Sequence, residues 1–310
     1  VHFVNAKGIL SAQNGMNIYR GCTHGCIYCD ARSTCYQIIA NRTENKTDAM
    51  SSLTINNSID LFEDVEVKQN APELLEQALL HKRNRCMIGT GAMSDPYQHC
   101  EKDLLLTRRC LELIDKYRFG LAIQTKSDMI LRDLDLLRSI NKKAKCVVQM
   151  TLTTAADDLC RIVEPHVCVT SRRIEVLKIM QSEGIPTVVW ITPLLPHITG
   201  TVQNVRSLMN SCISCGVHGI ILFGAGLTLR DGDRQYYYKK LDEHFPGMKE
   251  KYMREFGESY ELPCQESSAM VRMVKEQCQK HSIIMDNEVF AYMHEFPGES
   301  QPKQMELFSL

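Results

Sequence analysis

The sequence lacks any run of apolar residues approaching the ~20 needed to cross a bilayer. Its start, "VHFVNAKGIL", has no charged segment followed by an apolar one, so no leader is read there and a cytoplasmic protein is expected. An excess of either charge is also missing. The formal net charge is −1 with 24% of residues charged, so any attraction to nucleic acid has to come from a local basic surface. No repeat of solenoid period is present. In a protein that is not secreted, the Asn-x-Thr matches at Asn41 and Asn45 carry no meaning as glycosylation sites. With those classes set aside, 310 residues suffice for a large core, in one α/β barrel-like domain or two smaller ones.

Cysteine, by contrast, is abundant: the chain holds fourteen. In a reducing compartment a cysteine is a metal ligand, a reactive thiol or a small core residue more often than half of a disulfide. Cys86, Cys110, Cys146, Cys160 and Cys278 sit singly in apolar periodic segments and are read as core. Cys212-x2-Cys215 lies on a helical stretch without a thioredoxin context and is read the same way. The exception is "YRGCTHGCIYCDAR", where Cys22, Cys26 and Cys29 fall within eight residues of a loop that Gly21 and Gly25 make permissive. A zinc site there needs a fourth ligand, for which His24 or Cys35 could be proposed. An ordinary iron–sulfur cluster wants four cysteines. The third alternative leaves the fourth position open for a small molecule.

Short β-rich runs alternate with amphipathic stretches, the pattern of parallel β/α units. Six strands are expected near 16–19, 86–89, 121–125, 146–152, 187–192 and 219–223. Between them "APELLEQALLHK", "DLLLTRRCLELIDKY", "MILRDLDLLRSI" and "SRRIEVLKIMQSEG" carry apolar residues at helical spacing. The expected fold is therefore α/β, a partial (β/α)6 TIM-like barrel over residues 1–230. Polar residues 41–70 read as an insertion, with one extra strand in "DVEVK". From about Asp233 the pattern is helix only, giving a C-terminal helical extension over 231–296 and a polar tail over 297–310. The cysteine loop follows the first strand, which places it at the C-terminal mouth of the barrel, where active sites are built.

Cys-x3-Cys-x2-Cys with Tyr28 before the last cysteine resembles the radical S-adenosylmethionine (SAM) superfamily, and the whole stretch resembles its spore photoproduct lyase-like branch. The resemblance runs over roughly residues 5–258. It implies a [4Fe-4S] cluster on Cys22, Cys26 and Cys29 whose fourth iron binds SAM, which would explain the missing ligand. It also implies reductive cleavage of SAM to a 5′-deoxyadenosyl radical, with an external electron donor such as flavodoxin or ferredoxin. In "IGTGAMSDPYQ", Gly89 and Gly91 permit close backbone approach, and Ser94, Asp95 and Tyr97 offer polar contacts. By itself that segment is a turn; the resemblance assigns it to the methionyl part of SAM, with Ser94 foremost. Lys126 in "IQTKSD" is otherwise a solvated loop lysine, and the resemblance pairs it with the SAM carboxylate. Thr151 and Arg173 are further cofactor candidates, and Pro193 in "TPLLP" shapes the floor beneath adenine. One departure stands out: spore photoproduct lyases proper carry a hydrogen-donating cysteine where this chain has Ala92. Cys35, Cys168 and Tyr236 are the replacement candidates, each with a structural role as the alternative.

Two basic clusters, "HKRNR" and "NKKAK", precede strands and read as a solvated face away from the mouth. The tail "PKQMELFSL" places Gln304, Met305, Leu307 and Phe308 on a peptide that resembles the sliding-clamp-binding motif of bacterial polymerases and repair proteins. Its alternative is packing on the parent domain. DNA or a nucleic-acid component, repaired or modified, is the leading substrate class. The alternatives are modification of a peptide or protein, and a non-catalytic metal-stabilised interaction protein recruited to the clamp.

Overall fold

The computed structural model describes residues 1–33 and 64–297. Its centre is one sheet of seven strands: β1 (Gly15–Met16), β2 (Met87–Thr90), β3 (Gly120–Thr125), β4 (Cys146–Thr151), β5 (Thr187–Trp190), β6 (Gly219–Ile221) and β7 (Ile284–Met285). They lie side by side in sequence order, and every neighbouring pair is parallel. Parallel strands joined through helices and laid down in order give an open barrel, with β1 and β7 as the edges among the described residues. The α/β partial barrel is the observed fold.

Both faces of such a sheet are covered, so its strands lose the polar alternation of a half-exposed strand. All six residues of "CVVQMT" in β4 are buried. The side chains still alternate between faces. Ile88, Leu121, Ile123, Val148, Met150, Val189 and Ile220 belong to the main core with the surrounding helices. The helix Leu106–Lys116 turns Cys110, Leu111 and Ile114 into that core at three- and four-residue spacing. Met87, Ala122, Val147, Val188 and Ile221 form a second core on the inner face with Val289 and Met293 of the helix Asn287–His294.

Four sequence readings change. The first expected strand splits: Gly15–Met16 opens the main sheet, while Tyr19–Arg20 joins Glu66–Lys68, the strand of "DVEVK", and His2–Val4 in a small separate sheet. "DLLLTRRCLELIDKY" is two helices, broken where Leu105 takes φ 53°. The segment after Asp233 is not helix only. It contributes β7, a strand at Glu261–Pro263 that pairs with Gly226–Thr228, and the helix that fills the inner face. The helix Ser267–His281 also sends Met270, Val274 and Cys278 into the main core. Lastly, Lys145 of "NKKAK" is buried, its Nζ donating to the carbonyls of Tyr292 at 2.5 Å and Glu295 at 2.9 Å. That ammonium caps the C-terminal carbonyls of the inner-face helix, the end of a helix that favours a cation.

Cys110, Cys146, Cys160, Cys212, Cys215 and Cys278 are buried as core residues, and Cys86 is half-buried. Among the described residues no helix is long and apolar enough to cross a membrane. Cys35 and the peptide of Gln304, Met305, Leu307 and Phe308 lie outside the described residues.

Candidate active site

The inner-face helix covers the apolar lower part of the sheet, and the strand ends beyond it enclose a cavity of about 400 Å³. Cys22, Cys26 and Cys29 line one wall. The loop carrying them leaves the strand Tyr19–Arg20 through Gly21, whose φ of 82° turns the chain toward the cavity. A short 3-10 turn, Asp30–Arg32, closes it.

Opposite stands the loop after β2. Gly91 has φ +101°, and a Cβ on it would lie 2.0 Å from the Gln124 carbonyl oxygen, so only glycine lets this loop cross β3 there. Asp95 then fixes the loop: its carboxylate accepts from Tyr97 N at 2.9 Å, Thr125 Oγ1 at 2.7 Å and Lys126 N at 2.9 Å. The Ser94 hydroxyl donates to the Gly21 carbonyl at 2.5 Å, tying the two loops together. Gln98 donates to the same carbonyl at 3.3 Å and to Ser94 Oγ at 3.2 Å.

Lys126 lines the cavity with its Nζ 5.8 Å from the Tyr28 ring centroid. Burial disfavours its charge, but thiolates at Cys26 and Cys29, once ionised, and the Glu164 carboxylate outweigh that and hold its pKa above the usual value. Burial pushes the Cys22, Cys26 and Cys29 thiols up, so without a cation to bind they stay protonated. Burial also lowers His24, which lies in the cysteine loop with Nδ1 3.4 Å from Asp95 Oδ2.

Behind the cavity is a buried charged network. Glu164 and Arg173 are fully buried and pair at 2.5 Å. The Tyr28 hydroxyl donates to Glu164, and Arg173 donates to the carbonyls of Thr151 at 3.0 Å and Cys168 at 2.9 Å. Burial raises Glu164, and Arg173 with Lys126 more than reverses it, so the carboxylate stays ionised. Arg173 therefore braces the mouth from behind and does not line the cavity.

Of the residues proposed from sequence, Tyr28, Gly91, Ser94, Asp95, Lys126 and Thr151 come together with the three cysteines around one cavity, as does Pro193. Gly89 does not line it, nor do Cys168, whose thiol donates to the Lys126 carbonyl at 3.1 Å, and Tyr236, which is covered by the Arg32 guanidinium at 4.0 Å. Sequence reasoning missed Gln124, Trp190 and the bracing role of Glu164. Gln124 and Trp190 could have been found by stepping two residues up from the inward positions Ala122 and Val188.

The donor set fits a cluster. Cys22, Cys26 and Cys29 all line the one cavity, and cysteine thiolates are the donors that iron–sulfur clusters take. In a [4Fe-4S] cluster each cysteine holds a different iron, so the thiols need not converge on one point.

Comparison with known proteins agrees with this. The sequence model of the radical SAM superfamily matches residues 16–207. An uncharacterized protein of Methanocaldococcus jannaschii is 31% identical over 195 residues, 63% of this chain and 65% of that protein, so the match spans a little under two thirds of the relative. An uncharacterized protein of Mycobacterium tuberculosis is 26% identical over 249 residues, 80% of this chain and 68% of that protein. Among solved structures, a spore photoproduct lyase complexed with dinucleoside spore photoproduct superposes with a TM-score of 0.59 at 11% identity, covering 90% of this chain and 78% of that one. A spore photoproduct lyase mutant with bound AdoMet and the same dinucleoside gives 0.58 at 11% identity, covering 88% and 75%. At that identity the likeness is one of fold.

Proposed function

The chain belongs to the radical SAM superfamily, and on that premise we propose that it abstracts hydrogen from DNA or a nucleic-acid component, in repair or modification. The observation that carries the proposal is the single cavity shared by Cys22, Cys26 and Cys29 with Ser94, Lys126 and Thr151. The family implies a [4Fe-4S] cluster and SAM as cofactors; Cys22, Cys26 and Cys29 would hold the cluster. Bound there, cluster and SAM supply a 5′-deoxyadenosyl radical.

The chain's own groups position and exclude. Lys126 presents an ammonium to a carboxylate, and such a charge-assisted hydrogen bond is among the strong ones. Asp95 orients the loop that carries Ser94, and Tyr28, anchored on Glu164, holds the far end of the cysteine loop. Ala92 lines the cavity with a methyl group, which returns no hydrogen to a product radical. Among the described residues no cysteine other than the three ligands lines it either. This supports an outcome other than the lyase-type lesion reversal. The nucleic-acid substrate is supported by fold likeness to a lyase that binds a dinucleoside lesion.

The test is anaerobic reconstitution with iron and sulfide, then dithionite and SAM, with Cys26→Ala as control. Wild type should release 5′-deoxyadenosine and the variant none. Absence of product from reconstituted wild type, with equal metal retained by the variant, defeats the catalytic assignment. Repeating the assay with deuterated DNA, RNA and peptide mixtures identifies the donor, because label moves into deoxyadenosine; label from peptide alone replaces the nucleic-acid substrate. The peptide of Gln304, Met305, Leu307 and Phe308 is proposed to recruit the enzyme to a sliding clamp, and deleting residues 304–310 should abolish clamp binding while leaving deoxyadenosine formation unchanged.

A further inference from the structure

Large apolar side chains exposed singly are ordinary on a protein surface and by themselves indicate nothing. Phe223 is set apart by where its ring leads. It stands two residues past Ile221, the last residue of β6, and so continues the inner-face row toward the mouth of the barrel. Its ring is stacked on that of Phe290 of the inner-face helix, with centroids 5.6 Å apart and planes 21° from parallel. Phe290 in turn meets the Trp190 ring edge-on, at 5.8 Å and 90°. Trp190 lines the cavity. Aromatic rings therefore run in contact from the cavity to the solvent.

The outermost ring is held in place. The amide after the end of β6, Leu222 N, donates to Asp286 Oδ1 at 2.7 Å, in the turn that begins the inner-face helix. Asp286 N donates to the Ile220 carbonyl at 3.1 Å, so turn and strand end are clamped in both directions. At the inner end the Trp190 indole donates to Gln149 Oε1 at 2.9 Å, which fixes its plane. Phe290 covers one face of Phe223, yet Phe223 is still 60% exposed. A Cβ on the next residue, Gly224, would meet nothing within 4 Å, so the space beside the ring is open. What remains is a fixed, flat, apolar surface facing water beside the mouth.

We propose that Phe223 is the stacking platform for an unpaired nucleobase of the substrate, and that it steadies the target nucleotide over the mouth. The proposal rests on the substrate being a nucleic acid. A cavity of about 400 Å³ is near the lower end of the range that encloses a small ligand. Shared between cofactor and reacting nucleotide, it leaves the neighbouring bases outside, where Phe223 stands. Every base has a π-face, so an aromatic ring binds one without reading its sequence and without needing a positive charge. A base inside a closed duplex is already covered on both faces, so the platform favours single-stranded or opened nucleic acid.

The test compares wild type, F223A, F223L and F223W as reconstituted holoproteins without reductant. Fluorescence anisotropy follows binding of a short, labelled, single-stranded oligothymidylate and of the same sugar–phosphate chain without bases. Alanine should weaken oligothymidylate binding roughly 5- to 100-fold. Leucine should fall with it, being as apolar but without a flat face, and tryptophan should keep wild-type affinity. The baseless chain should bind wild type and F223A alike, and SAM should bind every variant as it binds wild type, because Phe223 does not line the cavity. Equal oligothymidylate binding by wild type and F223A overturns the platform and leaves the nucleic-acid substrate standing. Wild-type affinity in F223L also overturns it, since apolar contact would then suffice without stacking. A parallel loss of SAM affinity does the same, since the cavity itself would have been disturbed. If wild type binds neither probe yet moves label from a peptide into deoxyadenosine, the nucleic-acid substrate falls and the platform with it, a result distinct from any difference among the variants.

Discussion

Two ends of one sheet face contrast. At the lower end of the inner face, Ala122, Val147 and Val188 pack against Val289 and Met293 and leave no room. Two residues further along β3 and β5, Gln124 and Trp190 line the cavity with the three cysteines. The same strands, with the same alternation, make a packed core in one layer and a hollow in the next. The filled end is held by apolar contact, at about 1.5–3 kcal/mol for each large side chain buried. The hollow end has no such packing across it, and it is stiffened from behind by charged and hydrogen-bonded groups: Asp95 on one side, Glu164 with Arg173 on the other. A hollow beside a packed layer thus requires polar groups that are fully satisfied.

That contrast can be broken at either end. The largest loss is expected from Glu164→Gln, which leaves Arg173 buried without its counter-charge; about 3–5 kcal/mol of stability should go, read by denaturant unfolding of the metal-free protein. Met293→Ala at the filled end should lose about 2–4 kcal/mol by the same measurement, while the fraction still folded binds SAM as wild type does. At the hollow end the converse applies. Lys126→Met should leave unfolding within about 1 kcal/mol but weaken SAM binding by roughly 10- to 100-fold, as expected for loss of a charge-assisted hydrogen bond. Equal stability loss in Lys126→Met and Met293→Ala would erase the distinction.

The smallest effect concerns Asp233, at the start of the helix Asp233–His244. Burial, with Asp30 nearby, pushes its carboxyl up from 3.8 to about 7. A carboxyl raised on folding binds its proton more tightly in the native state, so between pH 4 and 7 the protein loses stability as pH rises. Asp233→Asn should therefore raise Tm by on the order of 2–4 °C at pH 8 and change it little at pH 4. A gain that is the same at both pH values would remove Asp233 as its source.

Much of this was legible beforehand. The six strands from 16 to 223 and the helices between them follow from apolar periodicity, and five of those strands fall within a residue or two of where the pattern puts them. The cysteine loop was legible because three thiols at that spacing have no packing explanation. Less legible was everything that depends on partners distant in sequence. Lys145 reads as a solvated cation until the helix Asn287–His294 brings two bare carbonyls to it. Glu164 is an ordinary polar residue until Tyr28 and Arg173 close on it from segments 136 and 9 positions away. β7 was hidden because a two-residue strand carries no period to detect.

What the sequence determined by itself is the succession of β and α units and the chemistry offered by Cys22, Cys26 and Cys29, because both are local: one is set by side-chain periodicity, the other by ligand spacing along a few residues. Only the tertiary structure decided which end of the sheet's inner face is filled and which is hollow, that Arg173 braces the site without lining it, and that the cysteine loop shows Gly25 and Ile27 to a second pocket on its far side. Those outcomes depend on which distant segment arrives at a given face. Burial and counter-charge are properties of the assembled neighbourhood, not of any residue's own position in the chain.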